Sequence, residues 1–290
     1  MDKTFVRIII WFGLMAVLTL AAMGIWLVAS GGSQTTESLK WLQCLQTLAT
    51  FLLPAILGAW IWTKDHRPFD WLRLNKTISW QTLLLAITIM LCAIPAINLL
   101  ADWNSKIILP DWLDSIEQFF KEQEEAAAEL TKRFLKADSV GILIINVALM
   151  ALLPALAEEI SFRGTLQQLI SPVAQSEKHS AKTYIAIWLT AIIFSAIHMQ
   201  FYGFIPRMLM GAMFGYVFVW TGTLWAPVIM HFVNNGLAVI AYYFIDETEE
   251  NTSWADTIGA GNTWWLGICS ILLTIALLGL LYKQTKQKTL

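Results

Sequence analysis

The chain has 290 residues, of which 57% are hydrophobic and only 14% charged, with a formal net charge of -2. Such a composition excludes an ordinary soluble domain, and apolar runs about 20 residues long recur along the chain as transmembrane helices do. The near-neutral balance, with bases scattered between the runs rather than gathered in a patch, argues against a nucleic-acid partner.

Taken in order, the runs predict spans at about 5–29, 41–62, 80–101, 139–157, 183–199, 204–221, 224–245 and 263–282. The expected fold is an all-α polytopic membrane protein of about eight helices, one transmembrane domain over 1–290. Lys3 and Arg7 precede the first run as they would in a signal peptide, but the run is long for a leader and reads as a signal anchor. Many of the fifteen Trp residues stand near run ends (Trp41, Trp60, Trp62, Trp80, Trp103, Trp220, Trp225, Trp264, Trp265) and suit an interfacial belt. Cys44, Cys92 and Cys269 lie inside runs without metal or redox spacing and read as small core residues.

With the N-terminus inside, Lys3, Arg7, Lys64, Arg67, Arg73, Lys76, Lys178, Lys182, Lys283, Lys286 and Lys288 are cytoplasmic. The outer loop after the seventh span then holds Asp246, Glu247, Glu249, Glu250 and Asp256 and no base. The expected setting is a bacterial cytoplasmic membrane with both termini cytoplasmic. Between the third and fourth spans, 102–138 is a polar insertion. Trp112, Leu113, Ile116, Phe119, Phe120, Leu130, Phe134 and Leu135 recur there against charged positions, which predicts an amphipathic helix on the membrane surface, either a solvated face or a lid beside a site.

Ionisable groups at membrane depth cost about 2.5–3.5 kcal/mol each on insertion scales, so those retained there mark function. Glu158, Glu159 and Arg163 lie at the fourth span, His198 ends the fifth four residues after Phe194, and His231 and Asn235 share a face of the seventh. Glu159 and Arg163, four apart, can pair, while Glu158 points about 100° around the helix and stays free. Two imidazoles, a free carboxylate and an amide supply what amide hydrolysis needs, a base for water and donors for an oxyanion. Each group alone also fits a plain role: a stabilising ion pair, an interfacial histidine, interhelical glue. Together they involve every histidine outside the loops, since His66 and His179 fall between spans. Gly211 and Gly215 form a GxxxG that reads as close helix packing, and Asn251-Thr252-Ser253 fits a glycosylation acceptor if the host glycosylates.

One tension concerns depth: Glu158 falls near the inner end of its predicted span and His198 near the outer end of the next. If the fourth helix runs on to about Ile170, the two lie at similar distances from the connecting loop and meet across the hairpin. Pro154, just before the pair, could kink that helix.

In these residues the chain resembles the CAAX-protease and bacteriocin-processing family of intramembrane proteases, also called Abi or type II CAAX prenyl endopeptidase-like. Its EExxxR, FxxxH and HxxxN motifs are intact as Glu158-Glu159-Ile160-Ser161-Phe162-Arg163, Phe194-Ser195-Ala196-Ile197-His198 and His231-Phe232-Val233-Asn234-Asn235. The resemblance covers roughly Ser139 to Phe244, with 139–245 as the catalytic core. It implies that Glu158 activates water, His198 positions it, His231 and Asn235 stabilise the oxyanion, Glu159 and Arg163 orient the base helix, and Phe194 shapes the pocket. The implied partners are membrane lipid and a protein or peptide substrate, membrane-associated or lipidated.

Metal dependence stays open. Zinc would take Glu158, His198 and His231 plus water, but there is no HExxH, and the three-helix spacing favours a metal-free glutamate site. Two other classes remain: a non-catalytic membrane scaffold of the same family, and a transporter, which would show paired broken helices in two halves.

Overall fold

The structure, a computed structural model, describes residues 3–63, 66–173, 180–244 and 257–287. The acidic segment from Asp246 to Asp256, the Asn251 triplet, His179, Lys64, Lys178 and Lys288 lie outside these residues.

The described residues form an all-α polytopic membrane protein. The apolar helices, with the amphipathic one at its place among them, are α1 (Lys3–Ser30), α2 (Thr36–Trp62), α3 (Trp80–Ser105), α4 (Asp114–Leu135), α5 (Val140–Ile170), α6 (Ala181–Ile197), α7 (Phe204–Thr221), α8 (Trp225–Tyr243) and α9 (Trp264–Gln287). Local chemistry sets their starts: Thr35, Ser79, Ser139 and Ser180 each accept a backbone N–H three residues on as N-caps of α2, α3, α5 and α6. Gly222 closes α7 at φ 67°, a left-handed stop that glycine takes without a Cβ clash.

About eight spans were expected, and eight apolar helices stand at those places, of which six are long and apolar enough to cross a membrane unaided. The other two are α6 and α8. With 17 residues, α6 spans about 26 Å against an apolar core of about 30 Å. The apolar run of α8 is interrupted by His231, Asn234 and Asn235. The shortfall therefore falls on the helices that carry the imidazoles.

Helix α5 runs on to Ile170, well past the predicted end at 157, so Glu158 lies inside the helix and the depth conflict disappears. Two π turns, Val147–Leu152 and Phe162–Gln167, flank its Glu-Glu pair. The first precedes Pro154 as another, Leu48–Leu52, precedes Pro54 in α2. A wider turn there accommodates a ring that has no N–H to give and would clash with the preceding turn.

Lipid offers no hydrophobic drive between helices, so close packing of small residues holds the bundle. Ala86 and Ala93 of α3, Ala226 of α8, and Phe214 and Val217 of α7 form one buried cluster with Leu281 of α9. Trp11 of α1 enters another with Phe162, Leu166 and Phe194. Val17, Leu20, Val28, Leu272 and Ile275 face outward, as lipid-facing residues do.

The Trp belt is partial. Trp41, Trp80, Trp103, Trp264 and Trp265 are more than half exposed, whereas Trp225 is packed and donates its indole N–H to the Leu74 carbonyl. Cys269, expected in the core, is exposed. Trp112 of the amphipathic insertion is also exposed, but Phe134 and Leu135 are buried and Phe120 stacks on Phe201 with centroids 5.1 Å apart. Helix α4 therefore touches the loop that follows His198.

Pro95 interrupts α3, and Ser270 of α9 repairs the break. Its hydroxyl accepts from Ala96 N at 3.0 Å and donates to the Cys92 carbonyl, standing in for a helical bond between those two groups. Ser270→Ala is expected to lower stability by about 1–3 kcal/mol by leaving that pair bridged by nothing. Thermal unfolding in detergent checks this, and Cys269→Ala, at the neighbouring exposed position, should stay near wild type.

Candidate active site

Four helices bring the polar groups together. Glu158 on α5, Phe194 and His198 on α6, Arg207 on α7, and His231, Asn234 and Asn235 on α8 line one cavity of about 380 Å³, with Ile97 and Ala101 of α3 also on its wall. Glu159 and Arg163 lie behind this wall, both fully buried.

The back layer is tightly bonded. Arg163 Nη1 donates to Glu159 Oε1 at 2.6 Å and Nη2 to the Gly211 carbonyl at 2.9 Å. The guanidinium carbon sits 4.6 Å from the Phe194 ring centre and 5.4 Å from that of Phe214, so aromatic faces cover the cation. The same Glu159 Oε1 accepts from His231 Nδ1 at 2.9 Å. One buried carboxylate oxygen thus joins the cation of α5 to the imidazole of α8, a link that sequence spacing did not announce.

The front layer is open. Glu158 has no hydrogen bond among the described residues, and its Oε2 lies 3.9 Å from His231 Nε2. His198 donates Nδ1–H to the Phe194 carbonyl at 2.8 Å, which leaves Nε2 as an acceptor toward the cavity. Its ring stands edge-on to Phe194, 5.2 Å between centroids. The residue after it, Met199, has φ 54°, a left-handed conformation costly for a side-chain-bearing residue.

The structure brings all seven residues selected by motif and depth together, five on the cavity wall and two behind it. Among the described residues no group of three His, Cys, Asp or Glu side chains is close enough to hold a metal ion. His231 and His198 each have Nδ1 committed, to Glu159 and to the Phe194 carbonyl. His66 lies apart, in the loop after α2, against Trp60.

Residues 140–237 match the family described as type II CAAX prenyl endopeptidase Rce1-like. The matched stretch opens on the first residue of α5 and ends inside α8, so every motif residue falls within it. A curated relative is the uncharacterized protein YpbD of Bacillus subtilis (strain 168), 31% identical over 94 residues, which are 31% of this chain. The chain spans 42% of the length of that relative. No solved structure matches the chain.

Several residues of the site belong to no motif. Asn234 Nδ2 donates to Asn235 Oδ1 at 3.1 Å, which turns the Asn235 amide so that its N–H groups are free to donate. Asn104 of α3 clamps the turn after His198, donating to the Phe201 carbonyl at 3.0 Å and accepting from Ile205 N at 2.9 Å. Gln167, one turn beyond Arg163, donates to the Gly215 carbonyl at 3.2 Å. The last bond recasts the GxxxG. Gly211 and Gly215 do pack α7 closely, and their carbonyls also receive the two polar side chains of α5. Arg207 was legible by the rule that singled out Glu158, since it is a base near the start of an apolar helix, but no motif surrounds it.

A Cβ on Gly211 would stand 3.1 Å from both Arg163 Nη2 and Phe194 Cδ1. Gly211→Ala is therefore expected to destabilise by about 1–3 kcal/mol through overpacking. Gly13→Ala, where nothing lies within 4 Å, should be neutral or stabilising by up to about 1 kcal/mol. Unfolding midpoints of the two variants in the same detergent check the contrast.

Proposed function

We propose that the protein is an intramembrane endopeptidase that hydrolyses a peptide bond of a membrane-associated or lipidated protein, without a metal in the proton path. The observation that carries the reading is the pair of adjacent carboxylates with opposite environments, Glu159 bonded to Arg163 and His231, and Glu158 unbonded at the cavity wall. The Rce1-like match around these residues supports it.

In this reading Glu158, ionised, removes a proton from a water whose other hydrogen is accepted by His198 Nε2. The hydroxyl oxygen bonds to the carbonyl carbon and the carbonyl becomes an oxyanion, which the Asn235 amide stabilises by donation. Glu158 then passes its proton to the departing nitrogen as the C–N bond breaks, and the carboxylate is regenerated. His231 can assist the oxyanion through Nε2 only while both ring nitrogens carry protons, because Nδ1–H is given to Glu159. The protein would sit in a bacterial cytoplasmic membrane with both termini in the cytoplasm.

The test uses purified full chain in liposomes with quenched fluorogenic apolar peptides. Wild type should cleave, with and without a chelator. Asn235→Ala should lower the rate by about 10²–10³-fold, the scale of one lost oxyanion donor. Cleavage that disappears on chelation and returns with zinc would overturn the metal-free route. Absence of cleavage throughout would overturn the hydrolase reading.

A further inference from the structure

Among the described residues Arg207 is the one guanidinium or ammonium on the wall of the cavity, and the reaction above does not use it. It stands in the first turn of α7, whose apolar sequence gives no general reason for a base there. The guanidinium is held from one side only, by Nη2, which donates to Gln200 Oε1 at 2.6 Å. The loop lies close against it: a Cβ on Gly203 would stand 3.0 Å from Nη2 and 3.7 Å from Nη1, so any larger residue there would press on the guanidinium. Nη1 is buried and has no hydrogen-bond partner among the described residues.

Glu124 of α4 and Glu158 are the acidic groups whose charge reaches this cation, and neither forms an ion pair with it among the described residues. Glu124 also has a buried oxygen, Oε2, without a partner among the described residues. It lines a second cavity, about 630 Å³, beneath α4 with Glu117, Lys121 and Tyr202. Tyr202 faces that cavity and Gly203 the catalytic one, so Arg207 stands where the two approach each other.

A guanidinium on the wall of a peptide-sized cavity, with one nitrogen unpartnered among the described residues, matches the planar fork of a carboxylate better than any neutral group. We propose that Arg207 is a specificity residue that binds a carboxylate of the peptide substrate, with Glu124 of the amphipathic helix as the internal anion that competes for it. This rests on the hydrolase reading for the word substrate, but not for the binding itself. The carboxylate belongs either to the peptide's C-terminus or to an acidic side chain, and both present the same two oxygens. Helix α4 thereby acquires a role at the site: it carries a nearby anion whose charge competes with that of a bound peptide carboxylate.

The experiment measures binding rather than turnover, on the full chain in detergent carrying Glu158→Gln, so that the probe is not consumed. The probe is a dansyl-labelled apolar peptide in four forms: free C-terminal acid, C-terminal amide, and the amide with an internal Glu or an internal Gln. The acid form, or the internal Glu form, should bind at least about tenfold more tightly than its neutral twin, and which of the two does so identifies the source. Adding Arg207→Gln should abolish the preference while leaving the affinity of the neutral forms within about twofold. Arg207→Lys should retain part of it. Glu124→Gln, which leaves Arg207 in place, should tighten binding of the preferred acid by a few-fold and leave the amide unchanged, and it decides the matter if the Arg207 variants do not fold. Equal affinity for charged and neutral forms, no binding of any form, or a preference that survives Arg207→Gln would overturn the assignment. A peptide held through Arg207 that wild type nevertheless fails to cleave counts against the hydrolase reading alone.

Discussion

The structure around the cavity depends on a single buried oxygen, Oε1 of Glu159, which accepts from Arg163 at 2.6 Å and from His231 at 2.9 Å. A guanidinium with no exposure in an apolar bundle must be neutralised, and removing one member of such a buried pair typically costs about 3–5 kcal/mol. Because Glu159 meets that demand, Glu158 is released from it. Two neighbours in sequence point to different sides of α5, one an internal counter-ion and the other on the cavity wall without a hydrogen bond among the described residues.

The same oxygen sets the imidazole. Accepting from Nδ1 fixes which nitrogen of His231 carries a proton and turns Nε2 toward Glu158 and the cavity. The third side of the arrangement is α7, whose Gly211 and Gly215 admit Arg163 and Gln167 and offer their carbonyls to them. Aromatic packing completes it: Phe194 covers Arg163 with its face, meets the His198 ring at its edge, and through its own carbonyl holds His198 Nδ1. α5, α6, α7 and α8 are thus locked by side chains of the motifs themselves, so the groups that would perform the chemistry also hold the helices in register.

Much of this was legible in the sequence. A free Glu158 beside a paired Glu159 follows from helical geometry, and the meeting of Glu158 with His198 follows from counting residues to the loop. Less was legible where helices meet. The bond from His231 to Glu159 joins residues 72 apart, and nothing in either motif specifies it. Hydropathy ended α5 at 157 because Glu158, Glu159 and Arg163 lower the local average, although burial and pairing keep the helix going to Ile170. The π turns were invisible for a related reason, since a prolyl ring announces a disturbance but not its form. Arg207 escaped because a lone base carries no pattern, and Asn234 because its service is to the amide beside it.

The central claim is the division of labour between the two carboxylates, and the direct measurement is to make Glu158→Gln and Glu159→Gln in the full chain and record unfolding and peptide cleavage side by side. The account predicts that Glu158→Gln unfolds at the wild-type midpoint while cleavage falls by at least about 10²-fold. Glu159→Gln should lose stability on the scale of a broken buried ion pair. A Glu158→Gln protein that cleaves at the wild-type rate, or a Glu159→Gln protein as stable as wild type, would contradict it.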